Sequence, residues 1–156
     1  LAQEAAPLSP TSPTHAHAHG NLAEVLLAQG QPGAAMPHAR AALAFWSAAH
    51  GDRHPQVAQA LLAVGRLQVE LGEGGAAQAS LRRALEIQRA AGADARALAP
   101  TQFELARALV SVAPDELVTA VAAAEAAAAA LGPGEERDKV VAWIRWQRDL
   151  VRSPAP

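Results

Sequence analysis

The residues whose types could do chemistry in this chain are six histidines, one glycine-rich turn and a scatter of carboxylates and serines. His15, His17 and His19 form HAHAH, and on a helix His15 and His19 stand one turn apart on one face. That spacing lets two imidazoles share a Zn²⁺ or Ni²⁺. The competing reading is a frayed first helical turn beside a Pro/Ser linker, with Glu24 the only carboxylate near in sequence, and it outweighs the metal site. His38, His50 and His54 are scattered, and His54-Pro55 reads as a helix start with proline in the first turn. Gly72 to Ala77, GEGGAA, satisfies the G-x-G-x-x-A form of a dinucleotide turn. SLRRALEIQRAA after it is helical throughout, however, where that fold needs a second strand. No serine occupies a G-x-S-x-G elbow, and Glu135-Glu136 open a helix, where the macrodipole favours negative charge. Ser9-Pro10 and Ser12-Pro13 are phosphate acceptors only if their linker is exposed. With no cysteine, thiol catalysis, disulfides and Cys-based metal sites are excluded. The sequence therefore points to no catalytic residue and no cofactor.

The elements that would position these residues are constrained by composition. A chain of 156 residues suits one domain. Of the 51% apolar residues, 42 are alanine, leaving 18 Leu, 11 Val, two Ile, one Met, two Phe and three Trp. The core must be thin and helical, because alanine favours helix and the types that favour strands are scarce. With 13 Lys+Arg against 15 Asp+Glu, the net charge of −2 removes the main electrostatic ground for a nucleic-acid partner. No apolar run approaches the roughly 20 residues that span a bilayer, and no leader pattern opens the chain, so no membrane is expected and a cytoplasmic location is. Beginning at Leu1 rather than Met, the sequence is expected to be part of something longer.

Internal repetition organises the rest. PLSPTSPT at residues 7–14 cannot sustain helical hydrogen bonding and reads as a linker. GQPGAA at Gly30 to Ala35 recurs as GEGGAA 42 residues on. At that offset Pro13 falls on Pro55, Leu22 on Val64, Val25 on Leu67, Ala42 on Ala84, Leu43 on Leu85 and Asp52 on Asp94. A third copy places Leu105-Ala106-Arg107 on Val64-Gly65-Arg66 at a step of 41. Each unit reads as two helices, the first carrying Val57, Leu61, Val64, Leu67 and Leu71, the second Ala77, Leu81, Ala84 and Leu85, closed by a Gly-rich turn. After Gly132-Pro133-Gly134 a seventh helix, about Glu135 to Arg152, carries Val140, Trp143, Ile144, Gln147, Leu150 and Val151 on one face. One helical hairpin cannot bury its apolar stripe, so stacked neighbours must share a core. The fold expected is all-α, a solenoid of three hairpins with a C-terminal capping helix. Its units fall at about 13–53, 54–95 and 96–132, with the cap at 135–152, all within a domain of 13–152. Residues 1–12 read as linker or the tail of a preceding helix, and 153–156 as a tail.

These residues resemble the tetratricopeptide repeat (TPR) family, the second unit supplying Leu61, Val64-Gly65, Gly72, Ala77, Leu81 and Ala84 of its pattern. The wider spacing, with HPQVAQALLAVGRL and RALEIQ, is similar to the lengthened variant of kinesin light chains and many bacterial signalling proteins. RALAPTQFELARAL and VVAWI resemble the C-terminal end of arrays appended to bacterial serine/threonine protein kinases. The resemblance covers roughly residues 13–152 and departs where His19 replaces the residue matching Leu61 and where Ala and Thr replace bulkier core residues in unit three. It implies a noncatalytic module that binds a protein or peptide in a concave groove lined by the first helix of each unit. Carried over, that gives His17, Glu24 and Leu27, then Gln59, Leu62, Arg66 and Val69, then Phe103, Arg107 and Val110. Arg66 and Arg107 on adjacent units repel unless a partner's acidic group, or Glu70 or Glu104, stands between them. An acidic peptide is the sharper expectation; arginines solvated or paired within the array are the other. The resemblance places the module in a larger bacterial signalling protein, such as a protein kinase. Trp146, at the margin of the last helix's apolar face, marks either a self-association patch, making a homo-oligomer the alternative, or half-buried packing.

Overall fold

Ser12 begins the first helix: its Oγ accepts from the backbone N–H of His15 at 3.3 Å, and Pro13 takes the first helical position, where its missing N–H is no loss. The structure, a computed structural model, describes residues 12–152. Seven α-helices and no strand occur among them: α1 (Pro13–Ala28), α2 (Pro32–His50), α3 (Pro55–Glu70), α4 (Gly74–Ala90), α5 (Ala95–Val112), α6 (Leu117–Leu131) and α7 (Glu135–Arg152), with a 3-10 turn at Pro114–Glu116. The linker expected at 7–14 thus gives way to helix early, because proline and a capping serine start a helix as readily as they prevent one. Its other residues, with Ser9-Pro10 and the tail at 153–156, lie outside the described residues.

The same chemistry recurs along the chain. Pro32 and Pro55 open α2 and α3, and His54 caps α3 by accepting from the Gln56 N–H at 3.3 Å. Asp94 caps α5, accepting from Ala97 N–H at 2.8 Å. The 42-residue offset has a backbone cause. Gly30 ends α1 at φ 71°, its N–H donating to the Leu27 carbonyl at 2.9 Å while the Gln31 N–H donates to Leu26 at 2.9 Å. Gly72 ends α3 in the same way at φ 74°, with 3.1 Å to Val69 and 2.8 Å from the Glu73 N–H to Gln68. This left-handed closure satisfies the last carbonyls of the helix and is cheap only without a Cβ.

Successive helices pack as hairpins, α1 on α2, α3 on α4 and α5 on α6, with α7 against α6. Contacts also run from α1 to α3 and from α3 to α5, with none comparable among α2, α4 and α6. The odd-numbered helices therefore form one inner row and the even-numbered ones an outer row, the geometry of a curved stack. Between the first two hairpins the core gathers Ala16, Ala42, Trp46, Val57, Leu61 and Ile87. Between the second and third it is Ala77, Leu81 and Ala108. The last hairpin and α7 share Ala106, Ala120, Ala124, Ala128, Val140 and Ile144. The chain is an all-α, TPR-like solenoid. None of these helices is long and apolar enough to cross a membrane.

On α7 the buried residues are Val140, Ile144 and Gln147. Leu150, expected with them, is 50% exposed. The reason is register: Val140, Ile144 and Gln147 repeat at steps of four and three, and Leu150 belongs to the neighbouring stripe of Lys139, Trp143 and Trp146. The side chain of Val151 lies outside the described residues.

Candidate binding groove

The inner row encloses a groove of about 770 Å³. Glu24, Leu27 and Ala28 of α1 line it, followed by Gly30 and Pro32 at the turn, Arg66 and Glu70 of α3, Pro100, Phe103, Glu104 and Arg107 of α5, and Glu136, Lys139 and Trp143 of α7. All four odd-numbered helices contribute, so no part of the groove exists until the hairpins stack.

A ladder of alternating charge crosses its middle. Arg66 donates from Nη1 to Glu24 Oε2 at 3.0 Å and lies 3.5 Å through Nε from Glu104 Oε1. Arg107 donates from Nη1 to Glu104 Oε2 at 2.9 Å and from Nη2 to Glu70 Oε1 at 2.6 Å. Glu104 therefore bridges arginines of adjacent units, and the repeat spacing that brings the arginines together also supplies the charge between them. Burial raises the pKa of Glu104 above the usual carboxylate value, with Arg107 and Arg66 pulling against it. Burial also works against the charge of Arg107, but Glu104 and Glu70 more than offset it and hold its pKa above the ordinary value. Toward α7 the pattern ends in Lys139, which lies 3.0 Å from Glu135 and 3.1 Å from Glu136.

Beside the ladder the wall is aromatic. Phe103 and Trp143 meet edge to face with centroids 5.6 Å apart, the arrangement their quadrupoles favour. Trp146, 58% exposed, and Leu150 continue the stripe of Trp143 along α7.

Of the residues expected on the inner face, Glu24, Leu27, Arg66, Phe103 and Arg107 line this groove. His17 and Gln59 line a second depression of about 170 Å³ between α1 and α3. Leu62 and Val69 turn aside to pack, with Leu105, on Ala77, Leu81 and Ala108, and Val110 packs against the α5–α6–α7 core. The inner stripe of α3 runs through Gln56, Gln59, Ala63, Arg66 and Glu70, so the two leucine-type residues beside it face the next helix instead. Pro100, Glu136, Lys139 and Trp143 were not expected there. Trp143 is legible only as core, because its apolar character fits the buried face equally well.

The histidines gather at the first hairpin. His19 and His38 approach at 2.8 Å through their Nδ1 atoms, one ring donating and the other accepting. Burial, then the nearness of His38 and His15, lowers the pKa of His19. Nδ1 of His15 lies 3.2 Å from Ser12 Oγ. His17 meets Trp46 at a tilt of 59°, while Trp46 stacks on His50 and His50 on His54, with centroids 4.8, 5.6 and 4.3 Å apart. Among the described residues, no group of three or more His, Asp or Glu is arranged to hold a metal ion. In GEGGAA, Gly74 is buried at the start of α4, where a Cβ would collide with Ser111 Oγ and lie 2.6 Å from Val112 Cγ2. That glycine serves the close approach of α4 to α5.

The pattern of the tetratricopeptide repeat matches residues 14–90, just under half of the chain. No curated protein matches the chain. The match spans α1 to α4, the two hairpins closed by Gly30 and Gly72. Repeats of this family generally mediate protein–protein interaction and are typically noncatalytic. The first two hairpins thus match the tetratricopeptide-repeat pattern and form the opening half of an all-α, TPR-like solenoid.

Proposed function

We propose that this chain is a noncatalytic interaction module whose inner groove receives an extended segment of a partner protein. The observation that carries the reading is the convergence of α1, α3, α5 and α7 on one groove rich in polar and aromatic side chains. Such a face offers hydrogen-bonding groups for a backbone and apolar surface for side chains. We take residues 13–152 as the binding unit, three hairpins and a cap. The lengthened spacing and the resemblance of RALAPTQFELARAL support a place in a larger bacterial signalling protein, a serine/threonine kinase among the candidates, and a cytoplasmic setting.

The test is a photo-activatable cross-linking side chain in place of Ala28 or Val69 in turn, with Glu86 on the outer row as control. Ala28 is expected to capture a discrete polypeptide that Glu86 and the inward-packed Val69 do not; capture equal at Ala28 and Glu86 would remove the groove assignment. A second reading, self-association, draws on the exposure of Trp146 and Leu150. It predicts a doubled mass in light scattering that Trp146→Arg returns to the monomer.

A further inference from the structure

We infer that the segment this groove takes is basic, placing a lysine or arginine against Glu24 and Glu70 and an apolar neighbour against Phe103 and Trp143. The inference rests on the inner-groove reading above and names its partner's chemistry. Four carboxylates line the groove against three cations: Glu24, Glu70, Glu104 and Glu136 against Arg66, Arg107 and Lys139. Two arginines at repeat spacing suggest an acidic partner, but their charges are already met. Arg66 is engaged through Nη1 and Nε, and Arg107 through Nη1 and Nη2. An incoming carboxylate that reached the donors left on either guanidinium would meet the repulsion of the glutamates already paired there.

An incoming cation displaces nothing. Glu24 and Glu70 each spend one oxygen on an arginine, and a carboxylate accepts through two. They are also the most exposed rungs of the ladder: their side chains are 48% and 40% exposed, against 37% for Arg66, 26% for Arg107 and 9% for Glu104. The two most exposed charges of the ladder are therefore negative. Phe103 and Trp143 stand alongside on α5 and α7, and aromatic faces attract both apolar groups and cations. An extended basic segment with alternating apolar residues answers both walls at once.

The test uses the full chain and three labelled peptides of equal length and leucine content, alternating leucine with lysine, glutamine or glutamate. Anisotropy is expected to give the lysine peptide an affinity about tenfold above the glutamine peptide, falling with added salt. Glu24→Gln with Glu70→Gln should cost the lysine peptide about tenfold and leave the glutamine peptide unmoved. Arg66→Gln, an independent variant, should tighten the lysine peptide. Equal or tighter binding of the glutamate or glutamine peptide, or a lysine peptide indifferent to the double variant, overturns the inference while the groove reading stands. If no peptide binds, the inference falls, and cross-linking from Ala28 then decides the groove reading separately.

Discussion

Gly65 and Leu81 meet where α3 crosses α4: a Cβ on Gly65 would lie 2.6 Å from both Cγ and Cδ2 of Leu81, a side chain with no exposed surface. Alanine at 65 gains helix propensity of about 1 kcal/mol but must push Leu81 out of a filled core. Gly65→Ala is expected to cost a net 1–3 kcal/mol, roughly, in urea unfolding. Gly20→Ala, on α1 with nothing within 4 Å of its Cβ, should gain up to about 1 kcal/mol in the same assay. A gain at both positions would mean that the crossing is looser than described.

Thr101, wholly buried on α5, presents an Oγ1 without a hydrogen-bond partner among the described residues. Thr101→Val keeps the shape and removes the buried polar atom. Its melting temperature should rise, equivalent to about 1 kcal/mol. A fall would show that the hydroxyl has a partner in solution.

Removing Glu104 leaves Arg66 and Arg107 facing each other across the seam between units. Glu104→Ala is expected to destabilise by roughly 1–3 kcal/mol, because two half-buried guanidiniums lose their shared counter-charge. Adding Arg107→Met should recover part of that loss, a coupling read from a double-mutant cycle. Additive losses would show that the bridge is not an energetic unit.

The histidine pair predicts a pH dependence. His19 has its folded pKa below the ordinary 6.5, chiefly through burial and then His38 and His15, so the unfolded chain takes up the proton first. The stability it contributes is complete above about pH 6.5 and is lost as pH falls through the folded pKa. Melting temperature should drop between about pH 7.5 and pH 5.5, and His38→Asn should flatten that slope. An equal slope in the variant would assign the effect to other groups.

Trp146 tests the extent of the groove. It is exposed, so Trp146→Gln should change stability by less than about 0.5 kcal/mol. The same change should weaken capture of a lysine–leucine peptide, since it removes the far end of the aromatic stripe. Unaltered binding by anisotropy would end the groove at Trp143.

Much of this was legible in the sequence, for physical reasons. Gly30 and Gly72 are needed at positive φ, and Pro32 and Pro55 at helix starts, so the repeat writes its own punctuation. The bridging role of Glu104 could be read because two arginines at repeat spacing demand a counter-charge. The rotational register was less legible. Leu62 and Val69 flank the inner stripe of α3, and only the presence of α5 beside them decides that they are covered. Leu150 fails for the same reason, one stripe away from Val140 and Ile144. Lys139 and Trp143 were missed as groove residues because nothing in a capping helix says that it will stand as a fourth inner wall.

The outer helix of the third hairpin, α6, buries Ala120, Ala124, Ala127 and Ala128 where a bulkier repeat would bury leucines. A methyl group contributes about 0.8 kcal/mol of hydrophobic stabilisation against about 1.5–3 for a large aliphatic side chain. In a stack whose cohesion is roughly a sum of nearest-neighbour terms, that makes the C-terminal hairpin the lightest link. Unravelling should start there, with amide protons of α6 and α7 exchanging ahead of those in α3. Phe103 and Trp143 are mounted on this weak end, while Glu24 and Arg66 sit on the firm one, so an occupant gripping both would clamp a fraying edge to a rigid base.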